Sequence, residues 1–258
     1  MKEIKTICRS FIIGCSMYSR IPMPQVEWTK DGMKYALCFF PFVGIIVGAA
    51  EYIFFCLAGR FGAGTLFVSL IGTVIPVLVS GGIHMDGFLD TMDALSSCES
   101  RERRMEILKD PHAGAFAVIS GCVYFCIYAA VLSELTIEAV PALSGIYVMI
   151  RAASGWCIVN LPKAKKDGLA STFSQQAEHR TVSVTMFAWS VAAAVYTATI
   201  GGMGFCMLLV ILLAGIILRF CFWSKKVFGG ITGDLAGFFL QVAELIAIFF
   251  VVLWYRIM

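Results

Sequence analysis

Three aspartates at helical spacing are the residues of this sequence best suited to chemistry. Asp86, Asp90 and Asp93 are spaced so that a helix would bring all three carboxylates to one face. Carboxylates this close repel one another unless a cation binds between them, and Mg²⁺ accepts such oxygens together with water and phosphate. The spacing predicts a magnesium site made by these aspartates, with His84 beside it. A solvated helix face at the membrane boundary would produce the same spacing.

A highly charged segment follows the aspartates. Between residues 99 and 110, acidic and basic side chains alternate, which is typical of a solvated amphipathic helix. Arg101, Arg104 and Lys109 are nevertheless candidates for binding phosphate, because their charged N–H groups bind phosphate oxygens well. Asp110 stands before a proline, where the helix should end, and offers a further carboxylate to the metal or the substrate.

A glycine-rich segment near the end of the chain could bind an anion. Lys225 and Lys226 precede the run GGITGD at residues 229–234, which leads into an apolar stretch. Backbone N–H groups at the start of a helix can bind phosphate, so Lys225, Thr232 and Asp234 are candidate substrate-binding residues. Taken alone, this pattern fits a tight turn with an aspartate cap better.

Charged residues also occur within apolar stretches, where they are costly and usually face the interior of a helical bundle. Arg151 is a candidate partner for a diphosphate. A pair between Arg151 and Glu244 explains both residues equally well. Glu51 has no assigned role.

Composition places the chain in a membrane. Of its 258 residues, 59% are hydrophobic and only 14% are charged, whereas soluble domains carry about 25% charged residues. The net charge of +3 is too small to indicate nucleic acid. We predict an all-α, polytopic membrane bundle in a single domain, with the lipid bilayer as its surroundings. The seven predicted spans cover residues 35–58, 64–82, 113–133, 139–161, 181–202, 203–221 and 235–255.

Positive charge predicts the orientation of these spans. Seventeen Lys and Arg residues fall in the first 34 residues and in the connections around 83–112, 162–180 and 219–234, against two, Arg60 and Arg256, on the opposite side. The N-terminus and these connections should therefore be cytoplasmic in a plasma (inner) membrane protein. Segment 1–34 is predicted to lie along the membrane surface, 83–112 to be a catalytic loop and 219–234 a glycine-rich loop.

Several motifs resemble those of one enzyme family. The run at residues 82–95 (GIHMDGFLDTMDAL) resembles the HLDGLADTADGL signature of cobalamin synthases, the adenosylcobinamide-GDP ribazoletransferases. Further likeness occurs at 20–22, 40–44, 101–110, 114–116 and 229–237, in the family order. Ala94 departs from the pattern, because the family usually has glycine there.

The resemblance implies a magnesium-dependent membrane enzyme that joins adenosylcobinamide-GDP to α-ribazole, or to its 5′-phosphate, and releases GMP. Asp86, Asp90 and Asp93 would hold Mg²⁺, and one of the catalytic residues Asp86, Asp90 and His84 would accept the proton of the attacking hydroxyl. The remaining candidates would bind the substrate: Arg101, Arg104, Lys109, Asp110, Arg151, Lys225, Thr232 and Asp234. The oligomeric state, including a homo-oligomer, stays open.

Two other functions remain as alternatives. A membrane phosphotransferase of the CDP-alcohol type also uses aspartates and Mg²⁺, but it should carry further aspartates in a second motif. A transporter would use Glu51, Arg151 and Glu244 as an intramembrane relay, usually at mid-bilayer within inverted repeats. The crowding of polar residues on one side of the predicted bundle favours the enzyme.

Overall fold

The computed structural model describes residues 2–164 and 169–257, so Lys165 and Lys166 of the positively charged connections lie outside it. The helices are α1 (Lys2–Tyr18), α2 (Lys30–Met33), α3 (Phe40–Arg60), α4 (Thr65–Ser80), α5 (Ile83–Ser96), α6 (Arg101–Ile107), α7 (Ala115–Ser133), α8 (Val140–Asn160), α9 (Leu169–Gln176), α10 (His179–Phe228) and α11 (Gly233–Ile257). A short 3₁₀ segment, Ala36–Phe39, precedes α3. The all-α prediction is confirmed.

Within residues 2–164 and 169–257, five helices are long and apolar enough to cross a membrane, or up to six if the bent pair α4–α5 counts as one span. One of the five, α10, is interrupted at Gly202, whose φ of 83° and ψ of 168° are not helical. The Cys206 thiol lies 3.2 Å from the carbonyl of Ala194, twelve residues earlier, whereas a straight helix would separate them by about 18 Å. The chain therefore folds back at Gly202, and α10 supplies two apolar segments, as the predicted spans 181–202 and 203–221 require.

Burial separates the central helix from those that face lipid. The apolar stretch of α8 is 83% buried within the protein, against 28% for that of α10. On α10, Phe187 and Leu218 are more than 70% exposed. Large apolar side chains exposed along a long helix indicate contact with lipid, so the chain is a multi-pass membrane protein.

The N-terminal helix α1 is amphipathic and partly built into the bundle. Ile13, Cys15 and Tyr18 are buried, whereas Ile4 and Ile7 at the other end are exposed. Helix α1 packs on the 3₁₀ segment and on α3. Its predicted position along the membrane surface stays a prediction.

The predicted polar connections meet at one end of the molecule. The amide of Glu178 donates to the carbonyl of Lys34 (3.1 Å), and the amide of Ile231 donates to that of Pro162 (2.8 Å). A side chain at Gly229 would overlap the guanidinium of Arg101. The N-terminal segment and the connections 83–112, 162–180 and 219–234 are thereby linked on one side of the bundle.

Two of these connections contain more helix than their description as loops implies. Segment 83–112 is mostly the helices α5 and α6, and Ser100 caps α6 by accepting a hydrogen bond from the Arg103 amide (3.4 Å). Helix α10 continues to Phe228, beyond the span end predicted at residue 221, and ends where Gly229 adopts a φ of 81°. Lys225 and Lys226 therefore lie in the last turn of α10, where their positive charge complements the helix dipole.

Candidate active site

A sharp bend between α4 and α5 positions the aspartates. The two helices meet at 100°, and the two residues between them, Gly81 and Gly82, have φ values of 69° and 82° that only glycine adopts readily. The Gly82 amide donates to the carbonyl of Val77 (2.9 Å), which completes the end of α4. The bend turns α5, with His84 near its start, away from the direction of the preceding apolar helix.

Two glycines allow α5 and α11 to pack backbone against backbone. A Cβ atom on Gly87 would lie 2.7 Å from the carbonyl oxygen of Asp234, and one on Gly237 would lie 2.8 Å from that of His84. Both distances are too short for any side chain, so the helices approach closely only because glycine stands at each position. This crossing brings Asp86 and Asp234, from distant parts of the sequence, to one cavity.

The cavity has a volume of about 280 Å³. Its charged lining residues, within the described part of the chain, are Asp86, Asp234 and Lys163, and His84 and Thr232 also line it. The Thr232 hydroxyl caps α11 by accepting from the Leu235 amide at 3.1 Å. Carboxylates, a hydroxyl, an imidazole and one ammonium in a cavity of this size suit a small polar or charged group.

His84 is the most unusual residue in this lining. It is 6% exposed, and its ring lies 5.4 Å from that of Phe40 and 6.3 Å from that of Tyr18. Its Nε2 atom is buried and has no hydrogen-bond partner among the described residues. Because a buried polar atom is costly to leave unpaired, Nε2 is suited to a hydrogen bond with a ligand in the cavity.

The other two predicted metal ligands lie further along α5. Asp86 is exposed, whereas Asp90 and Asp93 are half-buried. The Asp93 carboxylate occupies the space beside Gly114, and its Oδ1 lies 3.4 Å from the Ala117 amide at the start of α7. Asp93 therefore has a role in capping α7, and its role as a metal ligand stays a prediction.

The carboxylates of the cavity suit a magnesium ion that also binds the substrate. They do not suit an ion held by protein ligands alone. Within the residues described, no group of three or more His, Cys, Asp or Glu side chains is close enough to hold a metal ion. Mg²⁺ commonly takes one or two carboxylates and completes its shell with water and phosphate oxygens. Asp86 and Asp234, which line the same cavity, meet that requirement.

The predicted substrate-binding residues of α6 and of the turn after it are not among the residues that line the cavity, although the neighbouring Leu108 is. Arg101 lies against Gly229, and the half-buried Arg104 has an Nε atom with no acceptor among the described residues. Lys109 is exposed, as is Asp110, whose Oδ1 accepts from the backbone amide of His112 (3.0 Å) and lies 2.8 Å from its ring nitrogen. These bonds hold the pKa of Asp110 below its usual value. Their substrate contacts stay predictions.

The remaining predicted residues occupy two different environments. Arg151 is buried in the bundle and forms an ion pair with Glu244 at 2.7 Å, which is one of the two explanations considered for it. Lys225 is exposed on the last turn of α10, and its carbonyl accepts from Gly229 at 3.0 Å. Binding of substrate by either residue stays a prediction.

Comparisons with known proteins agree with the sequence motifs. The family profile described as cobalamin-5-phosphate synthase matches residues 10–252. The chain belongs to this family. A protein of Lachnoclostridium phytofermentans named adenosylcobinamide-GDP ribazoletransferase is 42% identical over 241 residues, which cover 92% of this chain and 91% of that protein. Proteins with the same name from Clostridium botulinum and Listeria monocytogenes are each 30% identical over 95% of the chain. No solved structure matches the chain.

The position of Ala94 explains why alanine is tolerated where the signature of the cobalamin-5-phosphate synthase family has glycine. Ala94 is fully buried in the interior of α5, which continues to Ser96. The backbone makes no tight turn there, so alanine takes the place of the usual glycine without disturbing the helix.

Sequence reasoning missed Lys163 as a site residue, because it appeared only as one of several positive charges in a connection. Its backbone forms a parallel bridge with Ile231, and its side chain lines the cavity. Removal from water lowers the pKa of Lys163 from 10.5 to about 8. The preceding Pro162 gives a hint of a constrained loop, but no local pattern places the side chain beside Asp86.

Proposed function

We propose that this chain catalyses the joining of adenosylcobinamide-GDP to α-ribazole or its 5′-phosphate, with release of GMP. Family membership and the names of its relatives support the substrate class. One observation supports the location of the reaction. Asp86, Asp234 and His84 line a single cavity, and the Nε2 atom of His84 has no hydrogen-bond partner among the described residues.

In the proposed reaction a ribazole hydroxyl attacks the phosphorus that bears cobinamide. An oxygen–phosphorus bond forms, the bond from that phosphorus to the GMP oxygen breaks, and the hydroxyl proton passes to a base. Such transfers depend mainly on positioning and on neutralising charge. The protein therefore has to hold a diphosphate and orient one hydroxyl.

Magnesium is the cofactor we propose, held by Asp86 and Asp234 with Asp90 and Asp93 as further candidates. When bound, it would neutralise the charge that develops on the diphosphate oxygens. Among the candidates, Asp86 and Asp234 have the best support, since both line the cavity.

His84 is the residue we propose to receive the hydroxyl proton. In the neutral ring with its proton on Nδ1, Nε2 accepts a hydrogen bond. The apolar rings of Tyr18 and Phe40 fix the orientation of the imidazole, which is a requirement for general-base catalysis. Asp86 and Asp90 remain the other candidates for this role.

We place the site on the cytoplasmic side of the plasma membrane. The positive charge of the connections around the cavity supports this placement, because positively charged connections are usually retained in the cytoplasm. Cysteine labelling from outside the cell checks this placement: an added cysteine near Arg60 should react, and one near Lys109 should not.

Turnover by purified protein tests the function. Wild-type protein in detergent, supplied with adenosylcobinamide-GDP, α-ribazole and Mg²⁺, should form equal amounts of cobalamin product and GMP. Chelation by EDTA should stop the reaction, and added Mg²⁺ should restore it. Product formation that is unaffected by EDTA would contradict the metal assignment.

The variant Asp86→Asn tests the carboxylate. We expect turnover to fall at least about 100-fold, because an amide neither neutralises nor binds a divalent cation well. Asp86 is exposed, so the thermal unfolding temperature should not change. Wild-type turnover by this variant would refute its role.

A further inference from the structure

The cavity contains two carboxylates, yet its proposed substrate is also anionic, so a cation is needed. The positive residues predicted from the sequence lie elsewhere: Arg101 packs on Gly229, and Lys109 and Lys225 are exposed. Among the described residues that line the cavity, Lys163 is the one with a positive charge.

Backbone pairing fixes the position of Lys163. The Ile231 amide donates to the carbonyl of Pro162 (2.8 Å), and the Ala164 amide donates to that of Ile231 (3.0 Å). These bonds tie the connection after α8 to the glycine-rich turn before α11. Gly230 is required at this junction, since a side chain there would overlap the carbonyl of Pro162.

The side chain of Lys163 is held as well. Its Nζ donates to the carbonyl of Leu161 at 3.2 Å and to that of Ile158. Both carbonyls lie at the end of α8, where the helix dipole favours a positive charge. An ammonium has three N–H donors, and none of the described carboxylates forms an ion pair with this one.

We propose that Lys163 binds the diphosphate of the nucleotide substrate inside the cavity. The inference rests on the proposed function, because it names the residue that holds the substrate of that same site. The partial burial of Lys163 supports this proposal. An ammonium that has lost water is stabilised strongly when an anion binds to it, whereas an exposed lysine, which keeps its water, is stabilised less.

Binding of GDP provides the first test, because GDP carries the nucleoside diphosphate without the corrinoid. With Lys163→Met, the dissociation constant for GDP in the presence of Mg²⁺ should rise about 10- to 100-fold, the range expected for a charged hydrogen bond. Lys163→Arg should keep most of the affinity. Lys226→Met, at an exposed position on α10, is the control and should bind as the wild type does.

Chemical labelling of the wild-type protein provides a second test that does not depend on folding of the variants. Acetylation of lysines is followed by mass spectrometry with and without GDP and Mg²⁺. We expect GDP to slow acetylation of Lys163 several-fold and to leave Lys226 unchanged. Equal labelling of Lys163 in both conditions, or protection confined to Lys165 and Lys166, would overturn the proposal.

The role of Lys163 and the proposed function are tested separately. If the wild type forms GMP but Lys163→Met binds GDP normally, the role of Lys163 is wrong and the function stands. If the wild type forms neither cobalamin nor GMP from its substrates, the proposed function itself is wrong, and the inference about Lys163 falls with it.

Discussion

At the scale of single residues, the site is distinguished by a polar atom that the protein leaves unsatisfied. Most buried polar atoms are paired, yet His84 Nε2 has no hydrogen-bond partner among the described residues, although the residue is only 6% exposed. Such an arrangement lowers stability unless a ligand uses it. This atom belongs to a residue that lines the same cavity as Asp86 and Asp234, as the proposed role of His84 requires.

Replacing His84 by phenylalanine should separate activity from stability. His84→Phe keeps an aromatic ring packed against Tyr18 and Phe40 but removes the buried nitrogen. We expect kcat to fall about 10²- to 10⁴-fold, the range for loss of a general base. The unfolding temperature in detergent should stay the same or rise, because an unpaired polar atom is removed.

A purely structural role for His84 gives the opposite pattern. In that case stability and kcat would fall together. Measuring both quantities on one preparation distinguishes the two outcomes, and normal turnover by His84→Phe would exclude His84 as the base.

At the scale of helices, the site depends on the close crossing of α5 and α11. Neither helix alone contains the donor set: Asp86 comes from one and Asp234 from the other. Their separation is set by Gly87 and Gly237, each of which faces backbone atoms of the opposite helix. Backbone atoms cannot move aside as a flexible side chain can, so this crossing tolerates no added volume.

The substitution Gly87→Ala should damage the site through this crossing. The new Cβ would lie 2.7 Å from the Asp234 carbonyl oxygen and would push the helices apart. We expect a loss of about 1–3 kcal/mol in the free energy of unfolding and a large loss of turnover.

The matched control is Gly215→Ala on α10, where an added Cβ meets nothing within 4 Å. Alanine favours the helix there, so stability should be unchanged or slightly higher and turnover normal. Equal behaviour of the two variants would mean that the crossing does not limit packing.

At the scale of the whole molecule, a buried polar network connects the central helices. The Arg151–Glu244 pair joins α8 to α11, and the Tyr147 hydroxyl donates to Glu51 on α3 at 2.8 Å. Tyr128 on α7 lies 3.0 Å from the Tyr147 hydroxyl. Four helices therefore share polar contacts within the bundle interior, where an unpaired charge is costly.

Removing one partner of the Arg151–Glu244 ion pair should destabilise the bundle more than removing both partners. Glu244→Met should lower the free energy of unfolding by about 3–5 kcal/mol, because Arg151 would remain buried without its partner. The double variant Arg151→Met/Glu244→Met should recover much of this loss.

Thermal unfolding of the single and double variants measures the effect. Turnover of the double variant adds a second result: normal activity would limit Arg151 to a structural role, and lost activity in a stable protein would support its predicted contact with substrate. A single variant as stable as the wild type would contradict the buried pair.

Local sequence was sufficient for much of the fold. Long apolar runs fixed the spans to within a few residues, as for 139–161 against α8 (Val140–Asn160). The spacing of Asp86 and Asp90 correctly placed them on one helix, α5. The connection around residue 225 was less well predicted, because a helix can extend beyond the membrane and its polar last turns lack a hydropathy signal.

The sequence by itself was sufficient to identify a helical membrane protein of the cobalamin-5-phosphate synthase family, and it predicted an acidic site near His84. Only the tertiary structure brought Asp234 and Lys163 to the same cavity as Asp86 and placed the Asp93 carboxylate against the start of α7. The physical reason is the range of the interactions. Hydropathy and helical spacing act between near neighbours, whereas a helix crossing depends on which small residues from distant segments come into contact.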